Sequence, residues 1–135
     1  MTTATLHDSV AAHRFVDGLT PAHIDVLVGM ARFGEYPAGT WVALRGDAAD
    51  TFHLVLEGRF AIEVAAAGRD PLVVATVHPG EVLGWSWMLA PHVWHFDVLT
   101  LDHTRTIAID GAALRAACRG DHDLGYEVSH RLARV

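Results

Sequence analysis

The part of this chain best equipped for chemistry is a segment that begins with two glycines four residues apart, Gly80 and Gly84. They follow a predicted strand and precede a short apolar stretch, which favours a turn of helix with free backbone N–H groups. Such groups can face an anion, so the segment is expected to begin a phosphate-binding cassette. The candidate ligand-binding residues are Gly80, Glu81, Gly84, Trp85, Ser86, Trp87, Trp94 and His95.

The order and spacing of these residues resemble the phosphate cassette of the cyclic nucleotide-binding domains, as in catabolite activator proteins and the regulatory subunits of cyclic-nucleotide-dependent kinases. In that family a Glu usually follows the second Gly and holds the ribose hydroxyl, and a later Arg pairs with the cyclic phosphate. Here Trp85 stands at the Glu position, and the Arg position falls on Trp94 or His95. The resemblance therefore implies a degenerate cassette, which keeps the frame of the pocket and lacks its two ligand-reading side chains.

The missing Arg and Glu set an expectation for ligand affinity. A charge-assisted hydrogen bond is worth roughly 1.5 to 3 kcal/mol, so losing both weakens binding by about 3 kcal/mol, on the order of a hundredfold. Ordinary recognition of cyclic AMP or cyclic GMP is therefore not expected. The ligand class left open is a cyclic nucleotide or another small anionic or flat molecule, with His95 supplying partial positive charge and the last helix closing over it.

The tryptophans of the cassette admit two interpretations. In the first, Trp85 and Trp94 wall a pocket and stack on a flat ligand. In the second, which we favour, they fill the cavity, because indole rings in place of two polar groups leave no wet hole in the core. Alternation along a strand starting at Trp94 predicts that Phe96 shares its side of the sheet and that His95 lies on the other side.

The elements that must position the cassette are predicted as a barrel between helices. Thr20 and Pro21 begin a helix of about eleven residues, and Asp110 caps a later helix that Gly120 closes. Between them, short strands separated by turns predict a mainly β fold, a double-stranded β-helix jelly-roll barrel with an N-terminal helix and C-terminal helices. The predicted strands cover residues 41–44, 52–56, 60–64, 72–77, 94–101 and 106–109.

Length and composition favour one domain with its own core, since 51% of the 135 residues are hydrophobic. The resemblance covers residues 16–135, and residues 1–15 are expected to form a loose N-terminal segment. It implies a stand-alone sensor or regulatory module and not an enzyme. Ser86 agrees with this interpretation, because its surroundings lack the second glycine of a nucleophile elbow.

Charge and composition limit the expected partners. The net charge is −6 and all ten cationic residues are Arg, so no basic face and no direct DNA binding are expected. The DNA-binding domain that follows this domain in the transcription factors it resembles is likewise not expected within 135 residues. A single cysteine, Cys118, and the lack of a long apolar run favour a cytoplasmic protein without a membrane partner. The ten histidines include no His-x-His pair of the cupin type, so no metal site is expected.

Two alternatives to a ligand sensor stay open: a ligand-free module that presents a surface to a protein partner, and, less favoured, a metal-binding cupin-type protein. A homodimer through the C-terminal helix is also considered. An apolar stripe there resembles the start of the family's dimer-seam helix, although it fits packing on the chain's own barrel equally well. The stripe consists of Leu124, Val128, Leu132 and Val135.

Overall fold

A computed structural model describes residues 5–65, 68–84 and 86–134 of the chain. Its helical segments are α1 (Leu6–Ala12), the 3₁₀ turn η1 (Arg14–Val16), α2 (Pro21–Gly29), α3 (Gly111–Gly120) and α4 (His122–Leu132). The strands lie between α2 and α3. They are β1 (Ala31–Tyr36), β2 (Trp41–Ala43), β3 (Thr51–Glu57), β4 (Phe60–Val64), β5 (Leu72–Val77), β6 (Val82–Leu83), β7 (Asp97–Thr100) and β8 (Thr104–Asp110).

The strands form two antiparallel four-stranded sheets, ordered β1-β8-β3-β6 and β2-β7-β4-β5. The first strand pairs with the last, and β2 pairs with β7, so chain segments far apart in sequence are neighbours, as in a jelly roll. Thr20 accepts a hydrogen bond from the His23 N–H and Asp110 accepts one from the Ala113 N–H, as N-caps of α2 and α3. The predicted mainly β fold with helices at both ends is confirmed.

The N-terminal segment differs from the expectation of a loose stretch over residues 1–15. Thr5 and Asp8 form a capping box at the start of α1, which stabilises a short helix that would be marginal alone. Val10 is fully buried on the core side of α1, and the His13 side chain is buried as well. Residues 5–15 are therefore packed on the barrel, and apolar burial is the physical reason.

Strand β7 begins at Asp97 and not at residue 94. The backbone of Trp94 is hydrogen-bonded to a turn instead of a strand. Its N–H donates to the Asp47 carbonyl at 2.9 Å, and its carbonyl accepts from the Gly46 N–H at 2.8 Å. The predicted alternation therefore fails at Phe96, which is 43% exposed whereas Trp94 is buried. Helix α2 also ends at Gly29, followed by the unpredicted strand β1, and β6 was missed because it is two residues long.

The apolar stripe of α4 packs inside the chain. Leu124, Val128 and Leu132 are all buried, and they belong to one core cluster with Val10, Phe52 and other residues of the helices and of the β1-containing sheet. Val135 lies outside the described residues. Of the two interpretations of the stripe, the structure shows packing on the chain's own barrel, so a dimer through α4 would have to use other side chains.

Candidate ligand-binding sites

Gly80 and Glu81 form a tight turn before β6. The Gly80 N–H donates to the Val55 carbonyl at 2.9 Å, and the Val55 N–H donates to the Glu81 carbonyl at 3.0 Å. The Glu81 carboxylate accepts from the His78 N–H at 2.7 Å. Gly80 has a φ of +85°, a left-handed conformation that glycine adopts without steric cost. The turn is thus fixed on β3, and the Glu81 carboxylate closes it.

Gly84 meets the ring of Trp94. Gly84 has a φ of +88°, and a Cβ placed on it would lie 2.8 Å from Cη2 of Trp94. The ring is 8% exposed and belongs to a core cluster that includes Leu83 and Phe60. A glycine at such a position allows close approach by another group, and the group that approaches here is an indole.

Trp87 lies in the other core cluster, away from the one that holds Trp94. Its ring packs against Phe52 with centroids 5.4 Å apart, and its carbonyl accepts a hydrogen bond from Arg115. Its indole N–H is buried and finds no acceptor among the described residues. Trp87 therefore supports the packing of α3 on β3, and the structure does not bring it together with Trp94.

The remaining candidates of the cassette lie nearer the surface. Ser86 is half-buried in a turn, and His95 is exposed. His95 lines a shallow cavity of about 270 Å³ together with Arg45, Phe96 and Asp97. Trp85 lies outside the described residues. Of the candidate residues, Gly84 and Trp94 are in contact. Gly80 and Glu81 share the turn before β6, Trp87 lies in the other core cluster, and His95 lines a separate cavity.

A larger cavity of about 480 Å³ lies beside the Gly80 turn. Three arginines face it, and we call it the arginine cleft: Arg14 of η1, Arg131 at the end of α4 and Arg134 just beyond it. None of the three was identified from the sequence as a ligand-binding residue. Arg131 is in fact anchored, because it bonds the Glu127 side chain and the Asp17 carbonyl. No local sequence signal pairs Arg14 with Gly80, since they are 66 positions apart.

His13 fixes one wall of the arginine cleft to the barrel. Its Nδ1 accepts from the Phe15 N–H at 3.1 Å, so the ring proton sits on Nε2, which donates to the Val55 carbonyl at 3.2 Å. Val55 is the same residue that holds the Gly80 turn. Burial lowers the pKa of His13 below its usual value, with the Arg14 charge acting in the same direction. The neutral ring is therefore the form that holds η1 in place.

Within residues 5–65, 68–84 and 86–134, no three His, Cys, Asp or Glu side chains come together in a way that could hold a metal ion. Among the helices of that same part of the chain, none combines the length and apolar character that crossing a bilayer requires.

Comparison with known proteins assigns the family. A family model described as the cyclic nucleotide-binding domain matches residues 33–121. The chain belongs to the cyclic nucleotide-binding domain family, and the resemblance drawn from the sequence is confirmed. A search of curated proteins found no match.

Solved structures show the same fold. A putative cyclic nucleotide-binding protein from Geobacter metallireducens GS-15 aligns with a TM-score of 0.85 at 21% identity, over 98% of this chain and 95% of that one. The catabolite activator protein of Thermus thermophilus aligns at 0.74 and 21% identity, over 90% of this chain and 57% of that one. The sensor domain of the transcriptional regulator DNR from Pseudomonas aeruginosa aligns at 0.78 and 11% identity, over 96% and 87%. At these identities the likeness concerns the fold.

Proposed function

We propose that this chain is a regulatory sensor domain that lacks ordinary affinity for cyclic AMP and cyclic GMP. The observation that carries the proposal is the contact between Trp94 and Gly84. The space beside this glycine, where an anion could approach the backbone, is taken by a buried ring. Of the two residues at the Arg position, Trp94 belongs to the core and His95 is an exposed imidazole, so neither offers a guanidinium group.

The chemistry of phosphate recognition supports the same proposal. A guanidinium group binds a phosphate through two parallel charge-assisted hydrogen bonds, which neither an indole nor an imidazole can replace. For the cassette, the proposal keeps Gly84, Trp85 and Ser86 as the residues that a flat or weakly held ligand would meet, whereas Trp94 is assigned to the core and His95 to a separate cavity. Gly80 and Glu81 are assigned to the arginine cleft, and Trp87 to the core.

A regulatory role is proposed in place of a catalytic one. Ser86, the hydroxyl nearest to the cassette, makes no side-chain hydrogen bond to a His or carboxylate within the described part of the chain. A serine nucleophile needs such a base within hydrogen-bond reach. Membership of the cyclic nucleotide-binding family supports a binding role for the barrel.

A thermal-shift experiment tests the proposal, because a ligand that binds only the folded state raises the melting temperature. We expect no shift of the wild-type protein with cyclic AMP or cyclic GMP. The double variant Trp85→Glu/Trp94→Arg restores the two missing side-chain types and removes the ring that covers Gly84, so it should gain a shift. The matched control, Trp41→Glu/His122→Arg, places the same charges at exposed positions elsewhere and should gain none.

Two results would contradict the proposal: a cyclic nucleotide shift of the wild-type protein, or a gain in the control variant equal to that of the restored one. The same screen, extended to small metabolites, separates a sensor from a ligand-free interaction module, since only a sensor gains stability.

The interaction module is the second candidate, and β5 favours it. This edge strand exposes Leu72, Val73 and Val74, each by more than half, and exposed strand edges can pair with another chain.

A further inference from the structure

The arginine cleft lies outside the cassette and has the size of a small-molecule site. It opens between η1, the turn before β6 and the end of α4, and its volume of about 480 Å³ falls within the range of about 300 to 1,000 Å³ that ligand pockets occupy. Three parts of the chain that are remote in sequence build it, which is the arrangement of a site assembled by the fold.

Arg14 is held in place by the Gly80 turn. Its Nε donates to the Gly80 carbonyl at 3.3 Å, and a Cβ placed on Gly80 would lie 3.0 Å from its Nη2 atom. The guanidinium group therefore lies against the backbone of Gly80, in space that a side chain at this position would occupy. One edge of the fork is bound to the protein, and its two Nη groups have no hydrogen-bond acceptor among the described residues.

Arg131 and Arg134 bring further cationic groups to the same cavity. Arg131 is engaged with Glu127 and the Asp17 carbonyl, and a Cβ on Gly18 would lie 3.3 Å from its Nη2, so it is a fixed part of the wall. Arg134 is exposed, and its Nη2 forms a hydrogen bond of 3.0 Å with Nε2 of His130. Neither Arg14 nor Arg134 has a carboxylate within 4.0 Å in the described part of the chain.

The lining of the cleft has more cationic than acidic side chains, and one of its arginines, Arg131, is paired with Glu127. The chain carries a net charge of −6, whereas the cleft gathers three guanidinium groups against two carboxylates, Asp17 and Glu81. Glu81 already accepts the His78 N–H. The cleft thus presents two guanidinium groups, those of Arg14 and Arg134, that have no carboxylate partner in the described part of the chain. Arginine is the residue type suited to bidentate binding of phosphate and carboxylate.

An apolar surface accompanies these charges. Phe15 and Val82 line the cleft, and both are 7% exposed. Phe15 is held edge-on against Phe52 with centroids 5.1 Å apart. A rigid apolar floor beside a pair of cationic groups is suited to a ligand with an anionic head and an apolar body.

We propose that the arginine cleft binds a small organic anion that carries a phosphate or carboxylate group. Arg14 and Arg134 bind the anionic group, Arg131 holds the η1 and α4 walls together, and the body of the ligand packs on Phe15 and Val82. The site is separate from the cassette, so it does not depend on whether the cassette binds a cyclic nucleotide.

Titration calorimetry with inorganic phosphate, citrate and 5′-AMP tests the proposal, with adenosine as the uncharged match of 5′-AMP. We expect saturable binding of at least one anion, and the phosphate and citrate arms distinguish the two head groups. Arg14→Gln and Arg134→Gln should each weaken binding by about tenfold, the loss of one charge-assisted hydrogen bond. Both side chains are exposed, so both variants should fold, which circular dichroism can check.

Arg119→Gln is the matched control, since Arg119 is also an exposed arginine on a C-terminal helix but does not line the cleft. It should leave the affinity unchanged. The proposal is overturned if none of the three anions binds saturably or if adenosine binds as well as 5′-AMP. It is equally overturned if Arg119→Gln weakens binding as much as Arg14→Gln.

Discussion

At the scale of single residues, Trp94 and Gly84 decide what the cassette can hold. Because Gly84 has no side chain, another group can approach its backbone closely, and the Trp94 ring occupies that space. The Trp94 backbone is fixed by two hydrogen bonds to the turn at Gly46 and Asp47, and its ring is buried in the core. The contact is therefore part of the packed core, and moving the ring would cost stability.

The variant Gly84→Ala tests this contact, and Gly46→Ala is its control; the quantity compared is the free energy of unfolding. Both glycines have positive φ, +88° and +92°, so each substitution costs about 1–2 kcal/mol for a side chain in a left-handed conformation. A Cβ on Gly46 meets nothing within 4 Å, whereas one on Gly84 meets Trp94. Gly84→Ala should therefore reduce the free energy of unfolding by about 1–3 kcal/mol more, the cost of overpacking. Urea denaturation measures the difference, and equal losses would show that the ring yields freely.

His53 gives a pH dependence. The ring is buried, and its Nδ1 lies 3.1 Å from the Thr106 hydroxyl. Burial, with the Arg32 charge in second place, lowers its pKa from 6.5 to about 4. Because the folded state disfavours the protonated ring, its contribution is complete above pH 6.5 and is lost as the pH falls towards 4. The loss should reach about 3 kcal/mol.

His53→Asn removes the titrating group and keeps a short polar side chain opposite Thr106. Urea unfolding of the wild-type protein and the variant at a series of pH values from 7 down to about 4 measures how the free energy of unfolding depends on pH. We expect a shallower decrease in the free energy of unfolding for the variant. If the free energy of unfolding decreased equally in both proteins, His53 would not be the source of the pH dependence. A smaller decrease is expected to remain in the variant, because burial also lowers the pKa of His13.

At the scale of elements, α1 has more effect on the fold than its sequence suggests. The helix is seven residues long and begins with the Thr5 and Asp8 capping box. Such a short helix forms only when its apolar face is buried, and Val10 provides that burial. The helix leads directly into His13 and Arg14, so it positions one wall of the arginine cleft.

Val10→Ala measures the docking of α1, with Val26→Ala as its control. Val10 is fully buried, and Val26 on α2 is 40% exposed. Removing two buried methyl groups should cost about 2 kcal/mol of unfolding free energy, and the control should cost about 0.5 kcal/mol or less. Chemical denaturation of the two variants gives the comparison. Equal, small losses would support the original expectation that residues 1–15 are loose.

The elements also show what the sequence could and could not predict. The caps Thr20 and Asp110 were found because capping depends on a few neighbouring residues. The start of β7 and the exposure of Phe96 were not, since they follow from backbone hydrogen bonds between Trp94 and a turn about fifty residues away. The stripe of α4 was recognised as apolar, but periodicity cannot tell which surface covers it.

At the scale of the whole molecule, the order of helix, strands and helices followed from local periodicity and turns, and the resemblance to a family added the barrel. The arginine cleft could not be predicted, because its parts meet only after the two sheets have formed and the terminal helices have packed on them. In this molecule the Trp94 ring takes the space beside Gly84, and a separate open cavity is lined by two guanidinium groups that have no carboxylate partner among the described residues. Both features argue for a sensor whose ligand is not an ordinary cyclic nucleotide.

Titration calorimetry of the wild-type protein with cyclic AMP and cyclic GMP tests this account most directly. The account predicts no saturable heat for either nucleotide in the micromolar range, because the guanidinium group that would bind the cyclic phosphate is missing and the Trp94 ring covers Gly84. Stoichiometric binding of either nucleotide at micromolar concentration would contradict it.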